Sequence, residues 1–197
     1  MENLFNQCRR LLRVTSLDYV RPIIKQVHWN QRLISIRGAR GVGKTTLLLQ
    51  YIKQTYGDNP TEAIYVSLDN LYFSRHTFID FVEDFYKMGG KCIFADEVHK
   101  YHGWSQELKN AYDAFPDMRF VITGSSVLNI LNSDADLSRR CINYNMQGLS
   151  FREYLALCEG LKFDQTDLQS LLEGPDKLCM AVNEKCRPLV HFDRYLK

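Results

Sequence analysis

Residues 37–48 read Arg-Gly-Ala-Arg-Gly-Val-Gly-Lys-Thr-Thr-Leu-Leu, with three glycines set just before Lys44 and Thr45. A glycine, four residues and then Gly-Lys-Thr arises by chance in roughly one in a hundred chains of this length. Here the context fits as well. "RLISI" (32–36) reads as a short buried strand, and "TTLLLQYIKQTY" (45–56) as a helix stopped by "GDNP" (57–60). A glycine loop between strand and helix can turn several backbone N–H groups towards one centre, and the helix N-terminus adds partial positive charge. That is a cradle for phosphate. Lys44 would reach β/γ oxygens, and the Thr45 hydroxyl suits a divalent cation. The candidate contacts are Gly38, Ala39, Arg40, Gly41, Val42, Gly43, Lys44, Thr45 and Thr46.

Further strands alternate with helices. "AIYVSLD" (63–69), "KCIFADE" (91–97), "MRFVITGSS" (118–126) and "CINYNMQ" (141–147) read as strands. Residues 3–14, 76–88 and 105–115 read as helices, the last with Ser105 as N-cap and Glu107 in its first turn. Alternation of this kind needs crossover connections and hence a parallel sheet, and near-continuous apolar strands imply helices on both faces. From Phe151 onward the chain reads as helical and then irregular. The division expected is a core over 1–150 with an N-terminal helix, followed by a helical and irregular segment over 151–197.

Binding and hydrolysis are separated by a second group of residues. Asp96 ends an apolar strand, where it could order the shell of a bound magnesium ion, and Glu97 beside it could orient or deprotonate an attacking water. The Asp-x-x-Gly and Asn-Lys-x-Asp patterns of guanine-nucleotide enzymes are absent, which favours adenine. Ser125, or failing that Thr123, closes the fourth strand and could hydrogen-bond that water. Arg139 and Arg140 precede the fifth strand, and one of them could stabilise charge on the γ-phosphate. His99 and His102 lack a matching second pair and read as polar loop residues.

The bulk properties exclude several classes. A net charge of +2 argues neither for nor against nucleic acid, where a strongly basic domain would argue for it. No apolar run reaches membrane-spanning length, so no membrane partner is expected. Six cysteines without a C-x-x-C pair fit a reducing cytoplasm better than a disulfide framework.

Taken in order, "GARGVGKTTLL", "IFADEVHKYHGWSQELKNAYD", "FVITGSS", "ADLSRR" and "GLSFREYL" resemble the prokaryotic AAA+-superfamily ATPases that carry a C-terminal domain of unknown function. The resemblance covers roughly residues 30 to 157. It implies an α/β fold of the P-loop NTPase kind: a three-layer sandwich around a parallel five-stranded sheet of order 5-1-4-3-2, with a partial helical C-terminal appendage. It also implies ATP or ADP with Mg²⁺, and for Lys44, Thr45, Asp96 and Glu97 the roles given above. Members of that family run on for about as many residues again, so this chain is expected to be a fragment or a truncated form. No lid arginine of their type is evident, Arg187 having no motif around it. The function expected is magnesium-dependent ATP hydrolysis, with a nucleotide-held switch of little turnover as the alternative and a small-molecule kinase a weaker third. The partners expected are nucleotide and a second copy or another protein; nucleic acid rests on family analogy alone.

Overall fold

Ile34, Ser35 and Ile36 are each fully buried, although successive strand residues face opposite sides of a sheet. Such a strand must be covered on both faces, and the computed structural model, which describes residues 1–58, 60–124, 137 and 139–196, shows how. The chain divides into two compact units, Met1–Gly148 and Leu149–Lys197.

In the first unit, α1 (Glu2–Val14) leads to β1 (Leu33–Arg37), α2 (Lys44–Tyr56), β2 (Ala63–Ser67), α3 (Phe78–Lys87), β3 (Cys92–Asp96), α4 (Trp104–Ala114), β4 (Arg119–Gly124) and β5 (Ile142–Asn145). The five strands form one sheet in the order β2-β3-β4-β1-β5, with every pairing parallel. This is the expected order read from the other edge.

Register fixes what meets at the carboxyl ends. Ile36 pairs with Thr123 and Ala95 with Ile122, so the strand ending in Asp96 is separated from the glycine-loop strand only by β4. α1 packs on α2 and β2, while α3 packs on α4. Phe78, Phe81 and Phe85 recur at i, i+3 and i+7 along α3 and are buried. Each such side chain stabilises the fold by about 1.5–3 kcal/mol relative to exposure.

The helix starts differ locally from the sequence reading. α4 begins at Trp104 behind Gly103, which sits at φ 77° and caps without a side chain. Ser105 therefore lies inside the first turn and is not the N-cap. Glu107 does fall in that turn, where it accepts from the Ile79 N–H and the Tyr101 hydroxyl. α3 starts at Phe78 because the Thr77 side chain accepts from Asp80 N.

The second unit holds α5 (Phe151–Cys158), α6 (Leu168–Glu173), α7 (Pro175–Lys185) and α8 (Pro188–Tyr195). Its helices run on to Tyr195. Pro175 and Pro188 lie in the first turns of α7 and α8, where no N–H is required, so they start helices there and do not break them. A reciprocal cap between Ser150 and Glu153 opens α5. Phe151 meets Phe192 edge-on with ring centres 5.2 Å apart, and the Tyr195 hydroxyl donates to the Leu149 carbonyl. No helix among the described residues is long and apolar enough to cross a membrane.

Candidate functional site: a phosphate cradle facing two carboxylates

Between Arg37 and Lys44 the chain turns through two left-handed glycines, Gly41 at φ 85° and Gly43 at φ 95°. Gly38 is required for a different reason. A Cβ there would lie 2.2 Å from the Met146 carbonyl oxygen, because the strand leaving β5 crosses directly over the loop. The first turn of α2 carries no side-chain cap, so its N–H groups point into the cleft without a protein acceptor from that source.

Lys44 is the first residue of α2 and is only 5% exposed. Its ammonium donates to the carbonyls of Gly38 and Ala39, at 2.9 Å each, and pairs with no carboxylate among the described residues. A buried cation held only by neutral carbonyls is costly to keep. It is the arrangement expected where an anion supplies the missing charge.

Asp96 is also buried, at 2% exposure, and four donors converge on it. Thr45 Oγ1 and the Tyr65 hydroxyl donate to Oδ2 at 2.6 and 2.8 Å. Thr123 Oγ1 and the Glu97 N–H donate to Oδ1. Burial first, and then the Asp96 charge, push the Tyr65 hydroxyl well above its ordinary pKa, so it stays a donor. Thr45 and Asp96, proposed from sequence as metal residues, are thus brought into direct contact. Thr123 spends its hydroxyl on Asp96 and on the Glu97 N–H.

Glu97 follows at φ 53°, ψ 40°, the only non-glycine residue at positive φ among the described residues. Such a conformation is strained for a glutamate and is kept where surroundings over-determine it. Its side chain lines a cleft of about 540 Å³ together with Arg40, Gly41, Lys44, Thr45 and Thr46. Asp69, His99 and Lys100 line the same cleft.

Of the remaining sequence candidates, Val42 offers its carbonyl to Arg21 Nη1 at 3.0 Å. Arg139 is exposed, and Arg140 donates to Asp113 and lies over the Tyr112 ring. Ser125 falls outside the described residues.

Two residues that build the site have no counterpart in the sequence reading. Tyr65 is one. Arg21 is the other: besides Val42 it donates to the carbonyls of Gln147 and Gly148, tying the glycine loop to the chain beyond β5. Their only sequence signal is a hydroxyl-bearing aromatic in a buried strand and an arginine beside Pro22.

A P-loop and a strand-end Asp-Glu pair on a parallel sheet of this order define the class, an AAA+ P-loop ATPase domain. The chain belongs to the AAA domain family, which matches residues 30–155. It is 32% identical over 164 residues to the uncharacterized protein MJ1637 of Methanocaldococcus jannaschii, a match covering 77% of this chain and 34% of that protein. The chain thus spans about a third of the length of this curated relative. Its fold is similar to Saccharomyces cerevisiae Hsp104 in a casein complex, with a TM-score of 0.54, 19% identity, and coverage of 78% of this chain and 31% of that one. The family is one of nucleotide-binding ATPases.

Proposed function

We propose that the chain binds ATP with magnesium and hydrolyses it to ADP and phosphate. The observation that carries this reading is the Lys44 ammonium, buried with no carboxylate partner among the described residues and opening onto the same cleft as Glu97. The N–H groups of residues 38–46 and Lys44 hold the β- and γ-phosphates. Magnesium, when bound, would neutralise phosphate charge at Thr45 and Asp96, the ion being held by few protein ligands together with phosphate oxygens and water. The residues fit such a cation: one carboxylate and one hydroxyl already 2.6 Å apart.

Glu97 orients the attacking water and takes its proton as the new bond to the γ-phosphorus forms and the β–γ bridging bond breaks. Ser125 is a second group for that water. Arg139 is exposed and suits an arginine supplied to a neighbouring copy's nucleotide; Arg140 is held on Asp113 and Tyr112. A homo-oligomer follows from this reading as a proposal. The test is phosphate release by the unsubstituted chain against Glu97→Gln and Lys44→Ala. Release markedly faster in the unsubstituted chain than in either variant supports the proposal, and equal rates in all three discard it.

A further inference from the structure

After Asp96 the chain enters a short 3-10 turn, Val98–Lys100, capped by Glu97. Val98 is buried at 1% exposure and pins the turn to the core. With Val98 held inward and Glu97 at positive φ, the side chain two residues beyond Glu97 folds back beside it. His99 Nε2 lies 3.3 Å from Glu97 Oε2. The His99 side chain is 19% exposed and the Glu97 side chain 33%. The other imidazole nitrogen, Nδ1, is buried with no hydrogen-bond partner among the described residues. With its hydrogen on Nε2, the ring donates to Glu97 and leaves only a lone pair at the buried Nδ1. The opposite tautomer would bury an unsatisfied N–H and lose the donor, which is the more costly choice.

We propose that His99 is a positioning residue for Glu97. Its Nε2–H fixes Oε2 of the carboxylate, leaving Oε1 to accept from the attacking water. A lone glutamate rotates about three side-chain bonds and must be ordered for each turnover; the imidazole, locked by the turn, removes that freedom beforehand. This inference rests on the reading of Glu97 as the residue that orients water.

Steady-state ATP hydrolysis by the full chain tests it with three substitutions. His99→Ala is expected to lower kcat about ten- to a hundredfold, with KM for Mg·ATP and nucleotide affinity held within about twofold. His99→Gln, whose amide N–H reaches as far as Nε2, restores most of the rate. His99→Asn offers the same amide one methylene too short and stays slow. In the Glu97→Gln background, His99→Ala has no further effect, because the two residues act as one unit. Three results would each overturn the inference: a wild-type kcat in His99→Ala, equal rates for Gln and Asn at position 99, or a full additional loss on top of Glu97→Gln. Failure of the proposed function is read elsewhere, as absence of hydrolysis in the unsubstituted chain, and takes the inference with it. Failure of the inference alone leaves that hydrolysis intact.

Discussion

The Tyr65 hydroxyl donates to Asp96 Oδ2 at 2.8 Å across neighbouring strands of the sheet. Ser67 is the residue that pairs directly with Asp96, so Tyr65 is its diagonal neighbour on the same face. The bond joins an edge strand to the carboxylate at the centre of the site.

Removing that donor is expected to cost about 1–2 kcal/mol of stability near neutral pH in Tyr65→Phe. The pH dependence follows from the raised groups. Burial pushes the Cys92 thiol from 9.0 up to about 12, and the Tyr56 hydroxyl from 10.0 up to about 12. Tyr65 is raised from 10.0 as well. Each keeps its proton in the folded chain after the unfolded chain has lost it, so each contributes stability that is present below its unfolded value and lost as pH rises. Urea unfolding followed by circular dichroism should show stability declining above pH 9 and more steeply above pH 10. The steep part should be shallower in Tyr65→Phe; an unchanged slope would contradict the buried bond.

Gly38 and Gly41 are needed for different reasons, and substitution separates them. Gly38→Ala places a carbon 2.2 Å from the Met146 carbonyl, a backbone atom that cannot swing aside. A loss of about 2–3 kcal/mol or more is expected. Gly41→Ala meets nothing within 4 Å and suffers only from φ 85°, a penalty of about 1–2 kcal/mol. Denaturation midpoints of the two variants should fall in that order, and the reverse order would contradict the crossing of the chain over Gly38.

The two arginines before β5 differ in what they hold. Arg140 donates to Asp113 and lies 5.5 Å from the Tyr112 ring centre, whereas Arg139 is exposed. Arg140→Ala is expected to lower stability by about 0.5–1 kcal/mol. Arg139→Ala should leave the unfolding midpoint unchanged and lower hydrolysis about tenfold or more if it serves a neighbouring copy's nucleotide. Mixing Arg139→Ala with Glu97→Gln chains should then recover part of the rate, since each supplies what the other lacks. No recovery, with Arg139→Ala at the wild-type rate, would remove Arg139 from the mechanism.

The parts of this fold legible in the sequence are those specified locally. The glycine loop has fixed spacing, so Lys44 and Thr45 could be placed at the start of a helix from neighbouring residues alone. β3 reads as buried because Cys92 to Ala95 are apolar in succession. Strand order is not local, and it came from the resemblance. Ser105 looked like a cap because the tolerance of Gly103 for positive φ leaves no mark beyond the glycine itself. Tyr65, Arg21 and the pairing of His99 with Glu97 escaped for another reason. The Tyr65–Asp96 contact spans 31 positions and the Arg21–Gly148 contact 127, while the His99–Glu97 contact depends on an unusual φ that composition does not encode.

Calorimetric titration of the chain with Mg·ATP, run in parallel on Lys44→Met, tests the central claim most directly. On the proposed reading, a buried ammonium with no carboxylate partner among the described residues serves a bound anion. Exchanging it for an apolar chain of similar length should therefore leave the nucleotide-free melting point level or slightly raised. The wild type should release heat with saturable binding, and should gain about 2.7 kcal/mol of stability at a hundred times its Kd. Lys44→Met should show neither. No heat from the unsubstituted chain at millimolar Mg·ATP, or equal heats from both proteins, would contradict the account.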